Sequence, residues 1–266
     1  MAPRLPLEVV ESIIDNVAEY NPYSMKVCAL VCHSFLPLCR KHIFASVTLN
    51  ARHRPSLAGT SDNLNHLLSN SPHLAVYIRK LDYYVTKKEF LSRRYLWLLP
   101  MFKKLVKLQK LDISYSVSRR LLDWMLSSVR KVLLPLLHFP TLTNIRLSSI
   151  GNFPLADLAA CVNLKKFEIR DLECSNGVGE FLEALPATPV LLEWLVVDDG
   201  NVKPVQQLCN ARRPDGKPII DFSSLKEVAS RCVRLHSMTE FFGMCRNLHK
   251  IDLTRMSLPH LISSSI

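Results

Sequence analysis

Cys28, Cys32, His33, Cys39 and His42 fall close together in the chain, and thiolates with imidazoles are the ligand types that hold zinc. Their spacing matches none of the common frameworks, in which paired ligands flank a longer loop. Cys28 and Cys32 stand at i and i+4 of an apolar stretch, where thiols serve as small core residues. Gly177-Val178-Gly179 is too short for a dinucleotide fingerprint and reads as a turn before a helix over 180–185. Asp198-Asp199-Gly200 opens like a calcium loop but lacks its later ligands, so a strand-end turn is expected. No Gly-Xaa-Ser-Xaa-Gly elbow, His-Glu-Xaa-Xaa-His pair or Gly-Lys-Ser/Thr phosphate loop occurs. The expectation is a non-catalytic protein with no metal and no cofactor.

Charge is the stronger chemical signal. The net charge is +11, with zero over residues 1–50, +12 over 51–150, −6 over 151–200 and +5 over 201–266. The basic block over 79–131 includes Lys87, Lys88, Arg93, Arg94, Lys103, Lys104, Lys107, Lys110, Arg119, Arg120, Arg130 and Lys131, interleaved with Tyr83, Tyr84, Tyr95 and Trp97. Such a block can meet nucleic acid, an anionic membrane surface or an acidic protein. No zinc-finger or RNP-type signature accompanies it, so nucleic acid is the less favoured partner.

A chain of 266 residues with 48% hydrophobic and 21% charged residues is an ordinary globular one, in one large domain or two unequal ones. Its apolar runs are far too short to span a bilayer. The absence of a signal-peptide pattern and of acceptable Asn-Xaa-Ser/Thr sites implies an intracellular protein of cytoplasm or nucleus with reduced cysteines.

Two periodicities divide the chain. In the first fifty residues Val10, Ile13, Ile14 and Val17 form one helical stripe after Pro6, and Asn21-Pro22 ends that helix. Val27, Leu30, Val31 and Phe35 repeat the stripe in a second helix, and Pro37 permits a third turn with Leu38, Ile43 and Phe44. The run Leu5-Pro6-Leu7-Glu8, then Val9-Val10, Ile13-Ile14 and Ala29-Leu30-Val31-Cys32-His33-Ser34-Phe35, resembles an F-box motif of filamentous-fungal type. Phe35 stands where many F-boxes carry tryptophan. The resemblance implies a three-helix module over 1–46 that docks on the Skp adaptor of a cullin–RING ubiquitin ligase. It also implies that Leu5, Pro6, Val9, Val10, Ile13, Ile14, Leu30, Val31 and Phe35 supply the adaptor-facing and internal contacts.

Beyond residue 75 a pattern of apolar, two residues, apolar, one residue, apolar recurs. Its copies are Ile78-Leu81-Tyr83, Leu108-Leu111-Ile113, Leu142-Ile145-Leu147, Leu164-Phe167-Ile169, Leu192-Leu195-Val197, a weak Leu225-Val228 and Leu248-Ile251-Leu253. The mean period of about 28 residues, with helical segments between, resembles a degenerate leucine-rich repeat. One such segment is a helix from Ser118 through Leu121, Leu122, Met125, Leu126, Val129, Val132 and Leu133. The fold expected over 47–266 is therefore an α/β array of alternating strands and helices, curved, with a conventional α/β domain as the alternative. Side chains alternate across a strand, so Asp112, Ser114, Arg146, Ser148, Glu168, Arg170, Asp198, Asp252 and Thr254 are expected on the concave face.

The two resemblances together imply the substrate-recognition subunit of an SCF-type ligase. The first module would hold the adaptor, and through it a cullin, while the repeats hold an unidentified protein substrate. The alternative is a basic repeat scaffold that binds nucleic acid or anionic surfaces with no ligase role.

Overall fold

Pro6, with φ −56° and ψ 145°, precedes the first helix, and its carbonyl accepts the amides of Val9 and Val10. It thus stands one place ahead of the first turn, where its missing amide costs nothing. The computed structural model describes residues 6–50, 59–86, 98–115, 121–175, 188–197, 203–230 and 239–252. Helix α1 spans Leu7–Tyr20, α2 spans Met25–Cys28 and α3 spans Phe35–Ile43. Ile14, Met25 and Cys39 fill the space among them, with Val10, Val17, Phe35, Leu38 and Ile43 packed around. The expected second helix is shorter than its apolar spacing suggests. Pro37 has no amide, and its ring would clash with the carbonyl of His33 in a continuous helix. The chain breaks over residues 29–34 and restarts at Phe35.

Ala45 begins a second architecture. Strands β1 (Ser46–Leu49), β2 (Lys80–Val85), β3 (Lys110–Tyr115), β5 (Asn144–Pro154), β6 (Lys166–Ser175), β8 (Trp194–Val197), β10 (Glu227–Ser230) and β11 (Lys250–Asp252) pair in that order, all parallel. Strand β4 (Leu122–Asp123) adds to β5, and β7 (Val190–Leu191) pairs with β9 (Ile220–Asp221) in a separate ribbon. Spatial order along the main path follows chain order without reversal. Crossovers of one hand then lie on one face of the sheet. That is the arrangement of a stacked array and departs from a doubly wound sheet, whose strand order reverses.

The register is the one the recurring apolar pattern predicts. Val47, Leu81, Leu111, Ile145, Phe167, Leu195, Val228 and Ile251 are neighbours in a single row across eight strands. Among the described residues, α4 (Ser61–Asn70), α5 (Leu98–Phe102), α6 (Ser128–Leu137), α7 (Lys203–Asn210) and α8 (Thr239–Met244) lie between strands. Leu64, Leu68, Phe102, Val132, Leu133, Val205, Leu208 and Phe241 from these helices share one core with the buried strand residues. The alternate strand positions form an open face that no helix covers among the described residues.

A second periodic device joins the units at the strand starts. The carbonyls of Ala45, Arg79, Gln109, Thr143, Lys165, Glu193 and Lys226 each accept two successive amides of the next unit, at 2.8–3.2 Å. Just upstream, Asn163 Nδ2 donates to the Pro140 carbonyl at 2.7 Å and Asn247 Nδ2 to the Ser223 carbonyl at 2.8 Å. Thr141 Oγ1 donates to the Leu108 carbonyl at 2.7 Å. Thus the residue before the first leucine of a unit ties it to the unit before.

The helix expected from Ser118 to Leu133 is corrected in its first half. Leu122 and Asp123 pair with Ile150 and Gly151, and the helix begins only at Ser128. Ser127 caps it, its hydroxyl accepting the Val129 amide at 3.0 Å. Ser118 and the segment over 180–185 lie outside the described residues. No helix among the described residues is long and apolar enough to cross a membrane.

Candidate interaction surfaces

The first surface belongs to α1 and the break after α2. Helix α1 turns 100° per residue, which places Val10, Ile14 and Val17 towards α2 and α3. Val9, Ile13 and Tyr20 recur at i, i+4 and i+11 on the adjoining stripe, and all three are exposed. Val27 in α2 is 67% exposed, and in the break Leu30 is 86% and Val31 66% exposed. Six aliphatic side chains, with Leu7, therefore face solvent on a module whose own core holds few fully buried residues. The nine adaptor-facing candidates divide accordingly. Pro6, Val9, Ile13, Leu30 and Val31 are exposed, while Val10 and Phe35 are half-buried. Ile14 is 2% exposed and cannot touch a partner, because its helical position points into the module's interior. Leu5 lies outside the described residues.

Polar ties hold α1 to α3 on the flank. Lys41 Nζ donates to Glu11 at 3.0 Å and to Asp15 at 3.3 Å, and His42 Nε2 lies 2.6 Å from Asp15 Oδ1. The His42 and Lys41 contacts hold the Asp15 carboxyl below the usual carboxylate range. The Glu11 and Asp15 carboxylates push the Lys41 ammonium up.

The second surface is the open face of the sheet. Asp112, Ser114, Arg146, Glu168 and Arg170 stand on it half-buried, and Ser148 stands on it buried. Asp252 shares the face on β11, three strand spacings from β6, so roughly 14 Å away. Asp198 and Thr254 lie outside the described residues. Three neighbours on the face were missed from the sequence: Asp82, Lys80 and Tyr84 of β2. Asp82 lies between Leu81 and Tyr83 as Asp112 lies between Leu111 and Ile113, so the repeat pattern itself contained the signal.

In register, Asp82, Asp112, Arg146 and Glu168 form one row. Lys80 Nζ donates to Asp82 Oδ2 at 2.8 Å, and Lys166 Nζ lies 2.9 Å from Glu168. Asp112 instead accepts from Ser114 Oγ at 2.9 Å. Arg146 sits 3.6 Å from Asp112 and 3.8 Å from Glu168, at ion-pair rather than hydrogen-bond distance. Burial pushes the Asp112 carboxyl up, and the neighbouring Asp82 charge adds to that, against Ser114 and Arg146. Further along the strand starts, Glu193 bridges Lys165 at 3.0 Å and Lys226 at 2.6 Å, and both cations hold its carboxyl down.

The basic block divides in the same way. Arg130 is buried, its guanidinium donating to both carboxylate oxygens of buried Asp157 at 3.1 and 3.0 Å. Trp124 Nε1 donates to the same carboxylate at 2.9 Å. Tyr83 is buried edge-on against Phe102, so it offers no face for stacking on a base. Lys104 Nζ donates to the Leu68 carbonyl at 3.3 Å. Arg79, Lys103, Lys107 and Lys110 are exposed and have no carboxylate partner among the described residues. Lys87, Lys88, Arg93, Arg94, Tyr95, Trp97, Arg119 and Arg120 lie outside the described residues.

Nothing among the described residues assembles three or more potential metal ligands. Cys28, Cys32, Cys39, Cys161, Cys174, Cys209 and Cys245 are free thiols. Burial pushes Cys174 and Cys209 up to about 12 and Cys245 up to about 11, so these stay protonated at neutral pH. The glycine pair at 177 and 179 and the Asp198-Asp199-Gly200 turn lie outside the described residues. Comparisons with protein-family models, with curated proteins and with solved structures return no match for this chain.

Proposed function

We propose that this chain is the substrate-recognition subunit of an SCF-type cullin–RING ubiquitin ligase. The module of α1 to α3 takes the Skp adaptor, and the sheet array, read as a curved leucine-rich-repeat-like domain, takes the protein to be ubiquitinated. One observation carries the adaptor half: Leu7, Val9, Ile13, Val27, Leu30 and Val31 are exposed on a module whose interior is already filled by Ile14, Met25 and Cys39. Burying each such side chain against a partner contributes about 1.5–3 kcal/mol before the costs of association. A few central anchors are then enough to hold a complex. All of these residues but Val27 fall within the segments that resemble an F-box. Bond-making chemistry would belong to other subunits, and this chain would supply proximity and orientation.

A second reading has its own observation. Among the described residues Arg79, Lys103, Lys107 and Lys110 have no carboxylate partner, and such a cluster suits a polyanion. The carboxylates of Asp82, Asp112 and Glu168 on the adjoining face oppose that use, so the ligase reading is preferred. Co-expression with a fungal Skp adaptor and gel filtration tests it, using Ile13→Asp with Leu30→Asp as the face-breaking variant. Ile14→Asp is unsuited to this purpose, because it would disrupt the module's core.

A further inference from the structure

Along β2 and β6 the strand-start lysine neutralises the acid two residues on, as Lys80 does Asp82 and Lys166 does Glu168. Strand β3 carries the same spacing in Lys110 and Asp112 but makes no such pair, since Asp112 turns to Ser114 and Arg146. Lys110 is left exposed beside Arg79, whose carbonyl accepts its amide at 2.9 Å, and three residues from exposed Lys107. One row inward the sign inverts on β2 and β3, with Asp82 and Asp112, while β5 contributes Arg146. Asp82 Oδ1 is buried with no hydrogen-bond partner among the described residues. Ser148, over nine-tenths buried on the same face and across from Ser114, also has an unpartnered Oγ. Buried polar atoms without partners cost free energy.

A uniform polyanion on the basic rim would run against the carboxylate row. A polypeptide of mixed charge would meet both rows with the opposite sign. We propose that the open face of β2, β3 and β5 binds an extended, mixed-charge peptide segment, its acidic side chain on Lys107 and Lys110 and its basic side chain at Asp82 and Asp112. The two rows are two residues apart along a strand, about 6.6–6.8 Å. An extended ligand matches that distance with an acidic and a basic residue at i and i+2. The inference deepens the substrate-binding half of the reading above and rests on it for the segment's owner, a ligase substrate.

The test is to pan a random dodecapeptide library, displayed on phage, against the full immobilised chain at physiological ionic strength. Expected is enrichment of sequences with Asp or Glu two positions from Lys or Arg, by about tenfold, the factor that two exposed ion pairs supply. Lys110→Glu and Asp82→Asn each remove the enrichment, and Lys110→Glu with Asp82→Lys selects the two charges in reversed order. Thermal melting confirms that each variant is folded. Uniformly acidic selected sequences, tighter binding of a single-stranded oligonucleotide, no enrichment, or the same enrichment on the variants overturns the inference. Adaptor binding, measured on the same proteins, stays unchanged in Lys110→Glu. Peptide selection stays unchanged in Ile13→Asp with Leu30→Asp, so the two readings fail separately.

Discussion

Arg130 and Asp157 show how far a residue's neighbours decide what its charge does. Both side chains are almost wholly buried, and the carboxylate also takes the Trp124 indole donor. Removing one partner of such a pair strands the other charge in the core. Arg130→Ala is expected to cost about 3–5 kcal/mol in urea unfolding, against roughly 0–1 kcal/mol for Arg146→Ala on the open face. Equal losses at the two sites would refute this assignment. Asp112 acts with the opposite sign. Its carboxyl is raised by burial, so between the ordinary carboxylate range and the raised value the folded chain holds more protons than the unfolded one. Stability therefore falls as pH rises through that window, and the cost of the charge persists at neutral pH. Asp112→Asn is expected to melt higher than wild type at pH 7, with the gain closing below about pH 4. A lower melting point at pH 7 would contradict it.

At the scale of elements, the strands were readable because their side-chain period is two. A slip by one residue would turn Leu81, Leu111, Ile145, Phe167 and Leu195 to the open face together, so the apolar pattern fixes the register. The sixth, weakest copy still places Val228 in the row. Strand β1 was not read, since Val47 and Leu49 give only two alternating apolar residues directly after a helix. The segment around Leu121 and Leu122 was read as helix because its apolar spacing also fits a 3.6 period. Its fate was settled by distant partners, Ile150 for Leu122 and Asp157 for Trp124. On α1 the stripe was legible, but which of its edges stays exposed depends on where α2 breaks. Ile13 and Ile14 are indistinguishable by type and differ only in that packing. The ties before each strand also act at this scale. Asn163→Ala removes the bond to the Pro140 carbonyl and is expected to cost about 0.5–1.5 kcal/mol. The loss should appear as faster amide exchange at Lys165 and Lys166, whose amides bond the preceding unit. Unchanged exchange there would show that the asparagine contributes nothing to unit stacking.

For the whole molecule, two cores meet end to end. The small one lies among α1, α2 and α3. The large one runs continuously under the sheet, with Phe44 and Val47 packed against it and the Ala45 carbonyl bound to Arg79 and Lys80. A partner held on the first module would therefore be fixed relative to the open face, which is what delivery of a bound segment to an assembled ligase requires. The balance of charge follows the same division. The basic rim over β2 and β3 and the Lys165–Glu193–Lys226 bridge sit at the strand starts, and the carboxylate row sits one step inward. The net charge of the block could be counted in advance. Its loss of Arg130 to the core and of Lys80 to Asp82 could not. The measurement that bears most directly on the central proposal is binding of the full chain to a purified Skp adaptor by calorimetry, wild type beside Ile13→Asp with Leu30→Asp. A one-to-one complex, lost in the variant while its melting point stays at the wild-type value, is the predicted result. A folded wild-type chain that binds no adaptor, or a variant that binds as well as wild type, would contradict it.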